Sequence, residues 1–293
     1  MRILHVIPLA LCVLMGQAQA AGPDMGKLLA TGGVSQVEGA AGGGLTPWAL
    51  ISGYGTRDSY GGNLHLTRLT TQDYALDSYG VAVGIADRFE ISLARQEFRG
   101  SLAPLDRLKL AQDILGLKWR FAGDAVYAQD SALPQLALGL QYKRDASVGG
   151  LGALGVTNVK QLGARDDAGY DVYLSASKLL LEHSLLLNGT VRATRANQMG
   201  LLGFGGDRHN GYQLQLEGSA AWLINRHWVA GAEYRMKPRN LSVDKEKDYY
   251  DLFVAWFPNK HVSATLAWVT LGDITVYNPR QQRGWYLSLQ AGF

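Results

Sequence analysis

Residues Gly284 to Phe293 read GWYLSLQAGF, and apolar side chains fall on every second position back from the terminal aromatic: Phe293, Ala291, Leu289, Leu287 and Trp285. Tyr286, Ser288, Gln290 and Gly292 take the alternate positions. A period of two belongs to a β-strand with one face toward lipid and the other toward water or a polar interior. A last strand ending in an aromatic also resembles the signal read by the barrel-assembly machinery of Gram-negative bacteria, which makes Phe293 the expected assembly signal. Soluble edge strands also end this way by chance, so the rest of the chain has to decide.

At the other end Arg2 precedes an apolar run, Ile3 to Met15, and then Ala18-Gln19-Ala20. This is the pattern of a secretory signal peptide over residues 1–20, with cleavage expected after Ala20. The run is too short for a spanning helix, which needs roughly 20 apolar residues. The one cysteine, Cys12, lies inside it, behind a Leu11 too large for a lipoprotein cleavage site. The exported chain is therefore expected to carry no thiol, disulfide or thiolate metal ligand, and no cofactor or metal is expected. Of 28 basic and 25 acidic side chains only Arg2 falls in the leader, and the near balance gives no argument for nucleic acid. No later window reads as a transmembrane helix. A membrane location then requires a closed barrel, which leaves no strand edge unpaired in lipid.

Period-two segments recur along the chain. Tyr212, Leu214, Leu216, Ala220 and Trp222 share a face, as do Trp228, Ala230, Ala232 and Tyr234; Tyr250, Leu252, Val254 and Trp256; and Val262, Ala264, Leu266 and Trp268. Earlier segments lie near residues 64–69, 79–85, 89–93, 115–121, 136–142, 172–176 and 185–193. With the last strand this predicts an all-β, antiparallel transmembrane barrel of about twelve strands over residues 61–293, an even count as bacterial single-chain barrels require. Short links near Asp87, Leu181, Ile224 and Pro258 alternate with long ones, which is a meander with both termini expected in the periplasm. The link from Gly123 to Pro134 is longer than its position calls for. Trp119, Trp222, Trp228 and Trp256, with Phe121 and Phe257, fall beside short turns. Tyr170, Tyr212, Tyr234, Tyr250 and Trp285, with Tyr142, Tyr249 and Tyr286, fall beside long loops. Two bands of aromatics suit the two interfaces of a membrane.

Residues 21–60 do not fit the wall pattern. Glycines at 32, 33, 39 and 42–44 and Pro47 interrupt any strand, although Val34 to Val37 and Ala49 to Tyr54 could pair. The segment reads as a small plug in the lumen, as a hairpin that brings the wall to fourteen strands, or as a periplasmic tail.

The stretches GGVSQVEGAAGGGLTPWALISGYGT (32–56), GVAVGIADRFEISLARQ (80–96), TRANQMGLLGFGGDR (194–208) and EYRMKPRNLSVDKEKDYYDLFVAWFPNK (233–260) resemble an uncharacterised family of Gram-negative outer-membrane proteins, domain of unknown function 3034. The resemblance implies an outer-membrane barrel and brings no activity, ligand or catalytic residue with it.

Alternation points Glu90, Lys118, Arg120, Lys143, Arg192, Glu217, Glu233, Arg235, Lys237 and Asp251 inward. They read either as a polar core paired across the lumen or as a lining that passes a polar solute. Catalysis has little support. His183, His227 and His261 sit at predicted turns, His65 lies on the first strand, and His209-Asn210-Gly211 lacks the serine of an outer-membrane phospholipase segment. There is no G-x-S-x-G or H-E-x-x-H motif. The glycine-rich GLLGFGGD (200–207) is expected to turn back into the barrel mouth, and DKEKD (244–248) to be a solvated loop tip. The expected role is a narrow pore or binding channel for small polar solutes or glycans, monomeric or weakly oligomeric, in contact with lipid and lipopolysaccharide. Its rival is a non-conducting structural or envelope-assembly protein, with a lipid-modifying enzyme third.

Overall fold

In the computed structural model, which describes residues 26–293 apart from 102–105, 151, 153–154, 245 and 275–279, twelve antiparallel strands close into a barrel in chain order. Two short strands, β1 (Val34–Ser35) and β2 (Ala41–Gly42), pair with each other outside the wall, and Gly42 also bridges Pro47. The wall is β3 (Tyr60–Thr71), β4 (Tyr74–Ile85), β5 (Phe89–Gly100), β6 (Lys109–Ala122), β7 (Gln135–Gly149), β8 (Ala168–Leu180), β9 (Leu185–Thr194), β10 (Gln213–Leu223), β11 (Trp228–Arg235), β12 (Tyr249–Trp256), β13 (Val262–Gly272) and β14 (Gln282–Gly292). It closes where β14 meets β3, with Leu289 opposite Leu66 and Gln290 opposite His65. Twelve strands, not fourteen, make the wall. The expected leader lies outside the described residues.

The short links gather at one end of the barrel. Ala86 and Asp87 both take positive φ, 53° and 50°, and with Arg88, whose N–H donates to the Ile85 carbonyl, turn β4 tightly into β5 in a three-residue link. Asn225 and Asn259 each cap a turn by accepting from the next residue but one and its successor, His227 and Trp228 in one case, His261 and Val262 in the other. The longer link 123–134 carries its own turn, with Asp124 Oδ1 accepting from Val126 and Tyr127. At the opposite end the links are long, except that Gln72 and Asp73 alone join β3 to β4, locked by the Thr71 hydroxyl, which donates to the Tyr74 carbonyl.

Outward positions are apolar. Leu174, Leu187, Leu214, Leu252, Leu266 and Leu287 are all exposed on the outer face. Trp228 stacks on Trp256 at 6.0 Å near the short turns, and Trp268 meets Trp285 at 4.9 Å and Tyr142 meets Tyr170 at 5.0 Å toward the long loops. At ~3.3 Å per residue and a tilt of ~40°, Tyr212 to Trp222 covers ~25 Å along a membrane normal, the height of an outer-membrane apolar band. Beyond it, toward the long loops, the outer face turns charged: Arg68 pairs with Asp77 and Arg95 with Asp113. No helix among the described residues is long and apolar enough to cross a membrane.

Three of the aromatics expected in the bands point inward instead. Tyr249, Tyr286 and Phe257 are 2 %, 0 % and 3 % exposed. Tyr249 and Tyr286 each neighbour an outward aromatic, Tyr250 and Trp285, and the pleat sends adjacent side chains to opposite faces.

The interior is layered. Near the short turns Val34, Trp48, Leu179, Leu186, Ala221, Val229, Phe253 and Phe257 form an apolar cluster around a cavity of about 30 Å³. Near the long loops Leu69, Tyr74, Phe98, Leu110, Met199, Leu202, Tyr249 and Leu271 form another around a cavity of about 40 Å³. Between them the barrel is polar and charged, and residues 32–54 run through it almost wholly buried.

Candidate functional site

Besides Lys237, which is buried near the long loops, the charged residues read from the alternation as inward, Glu90, Lys118, Arg120, Lys143, Arg192, Glu217, Glu233, Arg235 and Asp251, are each no more than 9 % exposed. They fall into four groups, each of which holds the N-terminal segment.

The largest group spans five consecutive strands. Lys143 on β7, Asp171 on β8, Arg192 on β9, Glu217 on β10 and Arg235 on β11 place one inward charge per strand, alternating in sign. Lys143 Nζ is 2.6 Å from Asp171, Arg192 Nη1 is 3.3 Å from Asp171, Arg192 Nε pairs with Glu217, and Arg235 Nε is 3.5 Å from Glu217. Glu38, at the tip between β1 and β2, completes the row. It pairs with Lys143, accepts from Arg235 Nη1 at 2.7 Å, and lies 3.7 Å from Arg192 Nη2. Gln36 Nε2 also donates to it at 3.0 Å. Burial alone would raise the Glu38 pKa, but Arg235, Lys143 and Arg192 outweigh it and hold the carboxyl well below its ordinary value.

The second group clamps backbone. Glu90 and Lys118 face each other across β5 and β6, 3.2 Å apart. Glu90 accepts from the Ala41 and Ser52 N–H groups, while Lys118 donates to the Ala41 and Leu50 carbonyls. Irregular chain buried inside a barrel leaves backbone groups without ladder partners, and these two side chains supply them. Further support comes from side chains of β3, β4, β8, β9, β10 and β14: Asn63, Ser78, Ser175, Ser177, Thr190, Ser219 and Gln290 all bond the segment.

In the third group Glu233 accepts from the Leu45 N–H at 2.7 Å and from the hydroxyls of Thr46 and Ser219 at 2.5 and 2.9 Å. Its register partner Asp251 is 2 % exposed and shows no hydrogen bond from either carboxylate oxygen. In the fourth, Arg120 pairs with Asp87 and Asp124 at the short-turn end. Lys27 also reaches Asp87, at 2.7 Å, and burial lowers its pKa despite that carboxylate.

At the long-loop end the glycine-rich stretch 197–206 folds into the mouth, its Met199 carbonyl accepting from Lys143. Two acids of the DKEKD stretch are buried and not solvated, while Lys247 is exposed. Asp244 and Glu246 are each 1 % exposed, with Gln198 donating to both and Lys237 Nζ 3.6 Å from Glu246. Burial raises Asp244 to about 7 and Glu246 to about 8, with Lys237 opposing both shifts.

Glu38 and Asp171 carry the central group and were not among the residues picked from sequence. Asp171 was visible there: Tyr170, Val172 and Leu174 point outward, so its parity is inward. Glu38 had no such signal, since its partners are set by the path of the segment.

His65 is buried with Nε2 3.4 Å from Ser78 Oγ; His209 is exposed; His227 and His261 bond carbonyls of neighbouring strand ends. Among the described residues no three His, Cys, Asp or Glu side chains gather in a way that could hold a metal.

The fold matches the NanC porin over 78 % of this chain and 98 % of that one, with TM-score 0.53 and 8 % identity. The KdgM porin aligns over 79 % and 99 % (TM-score 0.49, 10 % identity), and outer membrane phospholipase A from Escherichia coli over 78 % and 92 % (0.43, 10 %). At these identities the likeness is one of fold, that of outer-membrane β-barrels. No curated protein matches the sequence. The model of the family described as protein of unknown function (DUF3034) matches residues 31–290, and the chain belongs to that family.

Proposed function

We propose that the protein is an outer-membrane channel for a small polar solute, closed at rest by residues 26–59, with the short-turn end and both termini in the periplasm. The charged outer band at the other end then meets lipopolysaccharide head groups. The observation that carries the channel reading is the nature of the contact between segment and wall. The wall behind the segment is polar and charged through its middle, while the segment is covalently continuous with the wall only at Tyr60. Buried ion pairs add little to stability compared with apolar packing of the same volume, so a permanently dry core gains nothing from five inward charges in a row. A lining that is wetted whenever the segment withdraws does need them.

A non-conducting structural barrel is the second reading, favoured by the apolar clusters that close both ends of the interior. Planar-bilayer recording on the intact protein and on a variant lacking residues 21–59 separates the two. The channel reading expects steady current from the truncated form and rare openings from the intact one. Silence from a truncated protein shown to be folded and inserted would leave the structural reading. No catalytic residue is proposed.

A further inference from the structure

We infer that Lys143, Arg192 and Arg235 form a carboxylate-binding site of the lumen wall, that Glu38 occupies it at rest as an internal ligand, and that the solute is a small polar molecule bearing a carboxylate. The purpose of the site rests on the channel reading above; its chemistry does not.

The five-strand row holds three positive and two negative side chains, and each negative one is already shared between two positive neighbours. One positive charge is left without a partner except for Glu38. Glu38 answers it in the most economical place, touching all three cations at once. Two guanidinium groups and an ammonium converging from β7, β9 and β11 make the geometry in which carboxylates are held by charge-assisted hydrogen bonds.

The wall therefore presents a site for one carboxylate whether or not the segment provides it. Withdrawal of the segment removes Glu38 and exposes an uncompensated cation cluster, an unfavourable state in a confined lumen. A solute carboxylate entering the same place restores the balance. Such a solute binds only when Glu38 is out, so it has the differential affinity for the open state that is required to shift the equilibrium toward it. Glu38 and solute then compete for one site, and the solute promotes its own passage. A neutral solute of the same size gains nothing there.

The tip is shaped for this placement. Gly39 takes φ 95°, and a Cβ there would lie 2.9 Å from Ala94 Cβ, so only glycine lets the turn carry Glu38 this close to the wall.

The test uses the full-length protein in detergent, with sodium lactate as probe, lactamide as its uncharged isostere, and sodium chloride to hold ionic strength constant. Calorimetry reads binding, and hydrogen exchange reads the opening of residues 34–50. Glu38→Ala is expected to bind lactate at one site at least tenfold more tightly than the wild type, to ignore lactamide, and to lose lactate binding when Lys143→Gln is added. In the wild type lactate, and not lactamide, is expected to speed exchange in residues 34–50. Equal lactate affinity in Glu38→Ala and wild type, equal binding of lactamide, or an effect reproduced by chloride alone would overturn the assignment. Should Glu38→Ala not fold, Glu38→Gln keeps the side-chain volume, and the same ranking of probes is expected from it. Because binding is read without current, lactate bound by a protein that never conducts would sink the channel and leave the site standing. A conducting protein indifferent to lactate would do the reverse.

Discussion

Gly43 lies so close to Glu233 that a Cβ on the glycine would occupy the position of the glutamate's carboxyl group. Glu233 is at the same time the acceptor for the next turn of the segment, at Leu45 and Thr46. Segment and wall are therefore fitted to each other at a single atom's tolerance here. Gly43→Val is expected to unseat the segment while leaving the backbone ladder of the wall intact, the Ser219–Glu233 bond being the wall contact it disturbs. Overpacking of this kind costs ~1–3 kcal/mol, or about 5- to 150-fold in the closed-to-open ratio. More frequent openings in bilayer recordings, with unchanged barrel content by circular dichroism, is the outcome to look for; a variant as quiet as the wild type would show that the segment does not govern closure.

Leu174 is exposed at the middle of β8, four residues beyond Tyr170 in the aromatic band. If that face meets lipid, Leu174→Arg should cost ~2–4 kcal/mol of folding stability in a bilayer, the penalty for a charge at the midplane of an outer-membrane barrel. Urea titration of the protein in lipid vesicles measures it. A change below about 0.5 kcal/mol, typical of ordinary surface sites, would contradict the membrane placement of this face.

The link between β11 and β12 should loosen with rising pH. Burial raises Asp244 to about 7 and Glu246 to about 8, so the folded loop binds protons that the unfolded chain releases near 4. Their contribution is fully present below the unfolded values and is lost as pH rises through the folded ones. Lys237 lies beside both and Asp273 adds repulsion at Asp244. Hydrogen exchange in residues 236–248, corrected for intrinsic rate, should accelerate as pH rises from about 4 to about 8 and level off above, and Glu246→Gln should flatten that dependence. A pH-independent loop in the wild type would refute it.

The wall was legible in sequence because alternation is a local property: Trp228, Ala230, Ala232 and Tyr234 announce their common face without reference to any other strand. Errors came where that rule was set aside. Aromatic character near a strand end suggests an outward place for Tyr249 and Tyr286, but the pleat sends Tyr249 to the face opposite Tyr250 and Tyr286 to the face opposite Trp285. The interior was less legible because its contacts are remote in sequence. Glu38 and Arg235 are 197 residues apart, and no spacing relates them. DKEKD looked solvated because a charge run normally is; the side chains that bury it, Lys237 and Gln198, come from the start of the same link and from another loop.

Thr46 Oγ1 lies 2.5 Å from Ser219 Oγ, joining the segment to β10 at mid-barrel. The only cysteine of the sequence is Cys12, so Thr46→Cys with Ser219→Cys introduces the one thiol pair outside residues 1–20. Single-channel recording of this double variant before and after reduction tests directly whether the barrel opens by withdrawal of its N-terminal segment. The expected result is no openings while the disulfide is intact and a return of openings when it is reduced. Openings that persist unchanged in the oxidised protein would contradict the account.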